Sequence, residues 1–111
     1  MENAGGRGWG PHTVVPKFDE EIHAPVRLRI CGILAAAKAV DFATVRDTLG
    51  LADSVVSKHV SRLEAAGYVS VEKISDGGRP HTWISLTDKG RTAFAGHIAA
   101  LQEIAENAGV V

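Results

Sequence analysis

The chain has 111 residues, 45% of them apolar and 23% charged, and a net charge of −1. One domain of ordinary globular composition is the expectation, and the near-neutral balance sets aside a protein that holds polyanions by bulk charge alone. A single cysteine, Cys31, excludes an internal disulfide and any Cys-pair metal motif and fits a reducing cytoplasm; no apolar run reaches the roughly eighteen residues of a membrane span.

Residues 1–16 (MENAGGRGWGPHTVVP) carry four Gly and two Pro without an apolar period, and they read as a flexible tail. They also lack the charged-then-apolar layout of a secretory signal. Residues 17–111 are left to build the domain, a size at which burial against a partner subunit helps stability. Asp19 to His23 gives a helical turn before Pro25, and Pro25 suits the first turn of the next helix because its missing N–H costs nothing there. That helix is expected to run to about Ala39. Val26, Ile30, Ile33, Leu34 and Ala37 recur at steps of three and four and form its buried stripe, and Val40-Asp41 ends it.

Phe42 to Leu49 follows as a short helix with Phe42, Val45 and Leu49 on one face, Arg46 and Asp47 outward, and Gly50 as its stop. Leu51-Ala52-Asp53 is the turn, with Asp53 or Ser54 available to cap the next helix. The third helix spans about Ser54 to Ala66, buries Val56, Val60 and Leu63, and stops at Gly67. A strand from Tyr68 to about Ile74, a turn-rich stretch Ser75-Asp76-Gly77-Gly78-Arg79-Pro80, and a return strand from His81 to Leu86 make a hairpin. In the return strand Thr82, Ile84 and Leu86 share one face, and His81, Trp83 and Ser85 the other. Thr87 caps a last helix of about 87–107, and Asp88 in its first turn suits the helix dipole. Phe94, Ile98, Leu101 and Ala105 line this helix, and Ala93, His97, Ala100 and Ile104 widen the stripe beyond what one small core needs. That width predicts a helix that also buries a partner's copy, with Phe94, Ile98, Leu101, Ile104 and Ala105 at the interface.

Helix, tight turn, helix and basic-tipped hairpin, in that order, describe an α+β fold: a winged helix-turn-helix with a three-helix core, a two-stranded wing and a C-terminal dimerisation helix. In such a unit the second helix of the pair lies in the DNA major groove. With Val56, Val60 and Leu63 inward, its opposite face shows Ser54, Val55, Ser57, Lys58, Ser61 and Arg62. Lys58 and Arg62 can reach phosphates or guanine edges, the serines can hydrogen-bond without bulk, and Val55 can meet a thymine methyl. His59 sits nearer the flank. A solvated polar face looks the same in isolation, and the weight comes from the turn and hairpin around it. Arg79 at the hairpin tip suits the negative potential of a narrow minor groove, with Asp76 placed to hold it. Residues 26–38 hold Arg27, Arg29 and Lys38 with no acid. Asp19, Glu20, Glu21, Glu103 and Glu106 put much of the negative charge toward the ends, away from the DNA face.

The segment from Ala24 to Arg91 resembles winged-helix transcriptional regulators of the MarR and ArsR type. APVRLRICGIL is similar to their opening helix, SVVSKHVSRLEAAGYV to their recognition helix and its exit, and GRPHTWISLTDKGR to their wing and following helix. The resemblance implies a homodimer on a pseudo-palindromic site, with Ser57, Lys58 and Arg62 as major-groove residues and Arg79 as the minor-groove residue. Full-length MarR proteins are longer and use further helices at both ends to dimerise and hold ligands; this chain is the short form, so their phenolic effector pocket is not carried over, and a small-molecule effector is left as an open partner. Metal-sensing ArsR proteins carry Cys pairs or His/Asp/Glu clusters that have no counterpart here. Neither cofactor nor metal is expected. Cys31 reads as a small buried hydrophobe rather than a redox switch, and His97 with Asp88, Glu103 and Glu106 reads as a solvated face rather than a metal site. No nucleophile–base pair or phosphate-cradling loop marks an enzyme. The function expected is a cytoplasmic, sequence-specific regulator, a repressor by occlusion. Its rivals are a winged helix used for protein–protein contact and an effector-responsive regulator with a ligand at the dimer interface.

Overall fold

The computed structural model describes residues 14–110, apart from the side chain of Asp76. The tail reading of residues 1–16 therefore falls outside the described residues except for Val14 to Pro16. These three are irregular in backbone and lead to Lys17, whose N–H donates to the carbonyl of Gly96 at 2.9 Å.

The order of elements is α1 (Glu20–His23), α2 (Pro25–Ala35), β1 (Val40–Asp41), α3 (Phe42–Leu49), α4 (Asp53–Ala65), β2 (Val69–Asp76), β3 (Arg79–Leu86) and α5 (Asp88–Asn107). The capping chemistry sets several of these bounds. Asp19 accepts from the N–H of Ile22 to start α1, and Pro25 opens α2. Asp41 accepts from the N–H of Ala43 at α3, whose end is Gly50 at φ 67°. Thr87 starts α5, accepting from Gly90 and donating its own hydroxyl to the carbonyl of Gly67 at 2.7 Å.

Three expectations change. Helix α2 stops at Ala35 rather than near Ala39, and its last expected stripe residue, Ala37, is exposed. The released residues deliver Val40 and Asp41 to the sheet as β1, which pairs antiparallel with β3 in the register Val40↔Ile84 and Asp41↔Trp83. The hairpin thus gains a short third strand, in the order β1-β3-β2. The cap expected from Asp53 or Ser54 is also absent: Ala52 occupies the cap position of α4 without a side-chain bond, and Asp53 is in the first turn.

The core forms where the helical trio meets the base of the hairpin. Ile30 and Leu34 of α2, Val45 and Leu49 of α3, and Val56, Val60 and Leu63 of α4 close on Val69 of β2 and on Ile84 and Leu86 of β3. Cys31 is fully buried among them, and burial pushes its thiol up to about 12, so it acts as a hydrophobe. The hairpin turns through Gly77 and Gly78, at φ 60° and 88°. Positive φ at both central residues of a two-residue loop matches the right-handed strand twist, and the register closes on Asp76↔Arg79.

Candidate nucleic-acid interface

Burial of Val56, Val60 and Leu63 fixes the rotation of α4 and therefore what it shows. Ser54, Val55, Ser57, Lys58, Ser61 and Arg62 are all exposed, Val55 at 38%. The six residues expected at the major groove thus lie on the solvent side of one helix. His59 is half-buried on the flank, as its position suggested. Arg79 stands exposed at the start of β3, beside the two-glycine turn. The pairing of Asp76 with Arg79 rests on a side chain outside the described set.

Two ion pairs frame the helix. Arg46 of α3 donates Nη1 to Asp53 Oδ1 at 3.0 Å and Nε to Asp47 Oδ1 at 2.9 Å. The first bond joins the bracing helix to the first turn of α4. At the other end Arg62 donates Nε to Glu21 Oε2 at 2.8 Å, and that bond holds the Glu21 carboxyl below the usual carboxylate range. Beneath it lies Arg27, 8% exposed. Its Nε donates to the Glu21 carbonyl and stands 3.7 Å from the carboxylate, while Nη1 donates to His59 Nδ1 at 3.1 Å. Burial first, and the Arg27 charge second, hold His59 below the ordinary imidazole value.

This arrangement corrects the charge map. Arg27 is a buried structural cation, not part of a basic surface. Glu21 does not stay at a distant end: α1 folds back and sets it on α4. Only the 41-residue separation of Glu21 and Arg62 hid the pair; neither residue carries a local signal of it.

The wing is also tied down part-way along β3. His81 Nδ1 lies 3.1 Å from Asp41 Oδ2, on the same carboxylate that caps α3. The cap bond and the His81 bond together hold Asp41 below the usual carboxylate range. Trp83 is half-buried, its ring centroid 6.4 Å from that of His81.

On α5, Phe94 packs against the chain's own core, Ile98, Leu101 and Ala105 are half-buried, and Ile104 is 56% exposed. His97 is fully buried, which agrees with its place on the widened apolar stripe and corrects the solvated-face reading. It accepts the N–H of Asp19 at Nδ1, 3.0 Å away, and faces His23 and Phe18. No cluster of His, Cys, Asp and Glu able to hold a metal occurs among the described residues, and none of the described helices is long and apolar enough to cross a membrane. A groove of about 750 Å³ runs between the N-terminal segment and α5, lined by Lys17, Asp19, Tyr68, Lys89 and Arg91 among others, none of them from α4.

Comparisons agree with the fold. Residues 26–105 match the winged helix DNA-binding domain family. An uncharacterised protein of Methanocaldococcus jannaschii is 32% identical over 82 residues, 74% of this chain and 89% of that one. A riboflavin kinase of Haloquadratum walsbyi is 38% identical over 66 residues, 59% of this chain but 26% of the enzyme, so that likeness is to one part of a longer protein. Among solved structures, a transcriptional regulator homologue from Pyrococcus horikoshii superposes with a TM-score of 0.77 at 24% identity, covering 81% of this chain and 89% of that one. A MarR-family regulator from Enterococcus faecalis superposes with a TM-score of 0.67 at 19% identity, covering 80% and 79%.

Proposed function

The chain belongs to the winged helix DNA-binding domain family, and from that premise we propose that it is a sequence-specific transcriptional regulator of MarR type. In this reading it binds duplex DNA inside the cell as a homodimer and represses by occluding its site. The observation that carries it is the exposed row on α4, with Ser54, Val55, Ser57 and Lys58 near the helix start. Residues near the start of a recognition helix are the ones that meet base edges, and these combine small hydrogen-bonding groups, one methyl-bearing contact and one cation. A module built for protein contact would place an apolar patch there instead.

Arg62, in the last turn of α4, suits the phosphate strand beside the groove, and Arg79 at the wing tip suits the adjacent minor groove. The half-exposed stripe Ile98, Leu101 and Ala105, with Ile104 beside it, is the surface a second copy would cover. Two recognition helices would then meet half-sites about 34 Å apart.

A second reading adds an effector. The groove lined by Lys17, Asp19 and Tyr68 has the volume of a small-molecule site, and a ligand there would press on the segment that holds His97. A thermal shift on adding small aromatic carboxylates checks it.

The test of the main reading is selection of bound fragments from genomic DNA by the purified protein at near-physiological salt. Recovery of an inverted repeat is the expected result. A folded protein that enriches no fragment would sink the reading.

A further inference from the structure

One cation of the recognition helix is already engaged in the free protein. Glu21 Oε2 lies 2.8 Å from Arg62 Nε, and the same carboxylate is 3.7 Å from Nε of Arg27. The two cations differ in freedom: the Arg27 side chain is 10% exposed and the Arg62 side chain 55%. Glu21 is thus shared between a guanidinium that cannot leave and one that can.

We propose that Glu21 is a positioning residue that holds Arg62 as a latch in the free protein and yields it to a DNA phosphate on binding. The proposal rests on the DNA-binding reading above and adds an affinity-setting residue to it. Two features favour exchange over a permanent pair. When Arg62 swings away, the Glu21 carboxylate is not orphaned, because Arg27 remains beside it; an unpaired, partly buried carboxylate would resist release. The backbone of α1 is also held independently of Arg62. The N–H of Asp19 donates to His97 Nδ1, and the hydroxyl of Tyr68 donates to Asp19 Oδ2. Release therefore needs a rotation of one long exposed side chain and no movement of α1. Because phosphates carry no sequence information, the latch sets overall affinity and leaves base preference alone.

The test uses the full chain and a labelled mixed-sequence duplex of about 30 base pairs, long enough for two half-sites. Glu21→Gln should tighten binding about two- to fivefold, the range spanned by exposed ion pairs. Arg62→Ala should lower the slope of log affinity against log salt by about 1. In the Arg62→Ala background, Glu21→Gln should give no gain. Glu20→Gln controls for the simple loss of one negative charge on α1 and should change affinity less than Glu21→Gln does. Glu21→Asp keeps a charge near Arg27 but is one methylene shorter, and should also tighten binding if Glu21→Gln fails to fold. An unchanged or weaker affinity in both Glu21 variants overturns the latch, and so does a gain that persists without Arg62. Loss of duplex binding by the wild-type chain would remove the DNA-binding reading itself, and the latch with it.

Discussion

His97 Nε2 lies 3.1 Å from His23 Nδ1 and fastens α5 to α1. Since Nδ1 of His97 accepts the N–H of Asp19, the ring hydrogen of neutral His97 must sit on Nε2, and it is donated to His23. A proton added to His97 Nδ1 would face the Asp19 N–H, so the junction requires His97 neutral. Burial first, and His23 second, hold His97 below the ordinary imidazole value. A base with a depressed folded pKa leaves the unfolded chain binding more protons, so stability rises with pH across that window. The contribution is complete above about pH 6.5, the unperturbed imidazole value, and fades as pH falls through the folded value. Thermal melts from about pH 8 to pH 5 should show wild-type Tm falling below about pH 6.5. His97→Asn should have a lower Tm at neutral pH and a shallower fall. Part of the fall should survive, because His59 is depressed in the same direction. An equally steep fall in the variant would show that His97 does not carry the effect.

Gly90 is fixed by the backbone of Tyr68. A Cβ at Gly90 would stand 2.0 Å from the Tyr68 carbonyl oxygen and 2.9 Å from its carbon, neither of which is the end of a flexible side chain. The same carbonyl accepts the N–H of Thr87, the cap of α5, at 3.0 Å. Gly90→Ala must push α5 away from the exit of α4 and break that bond. A loss of about 3 kcal/mol, the upper range for overpacking, is expected in denaturant melts. Gly32→Ala is the comparison: its Cβ would meet only Phe94 Cζ, at 4.0 Å, and it should cost far less.

Much of this scaffold was legible because its signals are local. The three- and four-residue steps of Val56, Val60 and Leu63 gave the rotation of α4, and all three are buried. Thr87, Gly50 and Pro25 act at helix ends as their chemistry suggests. What escaped depends on contacts distant in sequence. β1 is two residues long, too short for any alternation, and exists only because β3 offers Ile84 and Trp83 as partners. The stretch Ala35 to Ala39 favours helix by propensity, yet pairing of Val40 with Ile84 ends α2 early, a tertiary override of a weak local preference. Residue type put Arg27 on the surface, and gave His97 a solvated reading beside its place on the apolar stripe. Each is buried because a partner elsewhere in the chain satisfies it: Glu21 and His59 for Arg27, and Asp19 and His23 for His97.

The wing and the recognition helix should separate in their effects on DNA. Lys58 lies in the N-terminal half of α4 and Arg79 at the hairpin tip. Lys58→Ala should weaken binding to the selected operator and relax preference at one or two base pairs, a loss of about 1–3 kcal/mol if Lys58 reads a guanine edge. Arg79→Ala should act at the flanks, removing a preference for narrow-groove A·T steps and leaving the central half-site bases unaffected. Binding of operator variants mutated base by base distinguishes the two. Identical losses across all variants for Lys58→Ala would reassign it to a phosphate.

The C-terminal helix gives the last test. Ile104 is 56% exposed on the stripe that holds Ile98 and Leu101, whereas Phe94 is committed to the chain's own core. A charge at 104 therefore disturbs little inside one copy but would be buried without a partner in a dimer that closes over α5, and an unpaired buried charge is strongly unfavourable. Ile104→Glu should give a monomer by sedimentation equilibrium at concentrations where the wild type is dimeric. Its secondary structure should be unchanged by circular dichroism. Affinity for a two-half-site operator should fall toward that of a single half-site, because the two recognition helices no longer share one tether. A dimer that survives this change would place the interface on another surface.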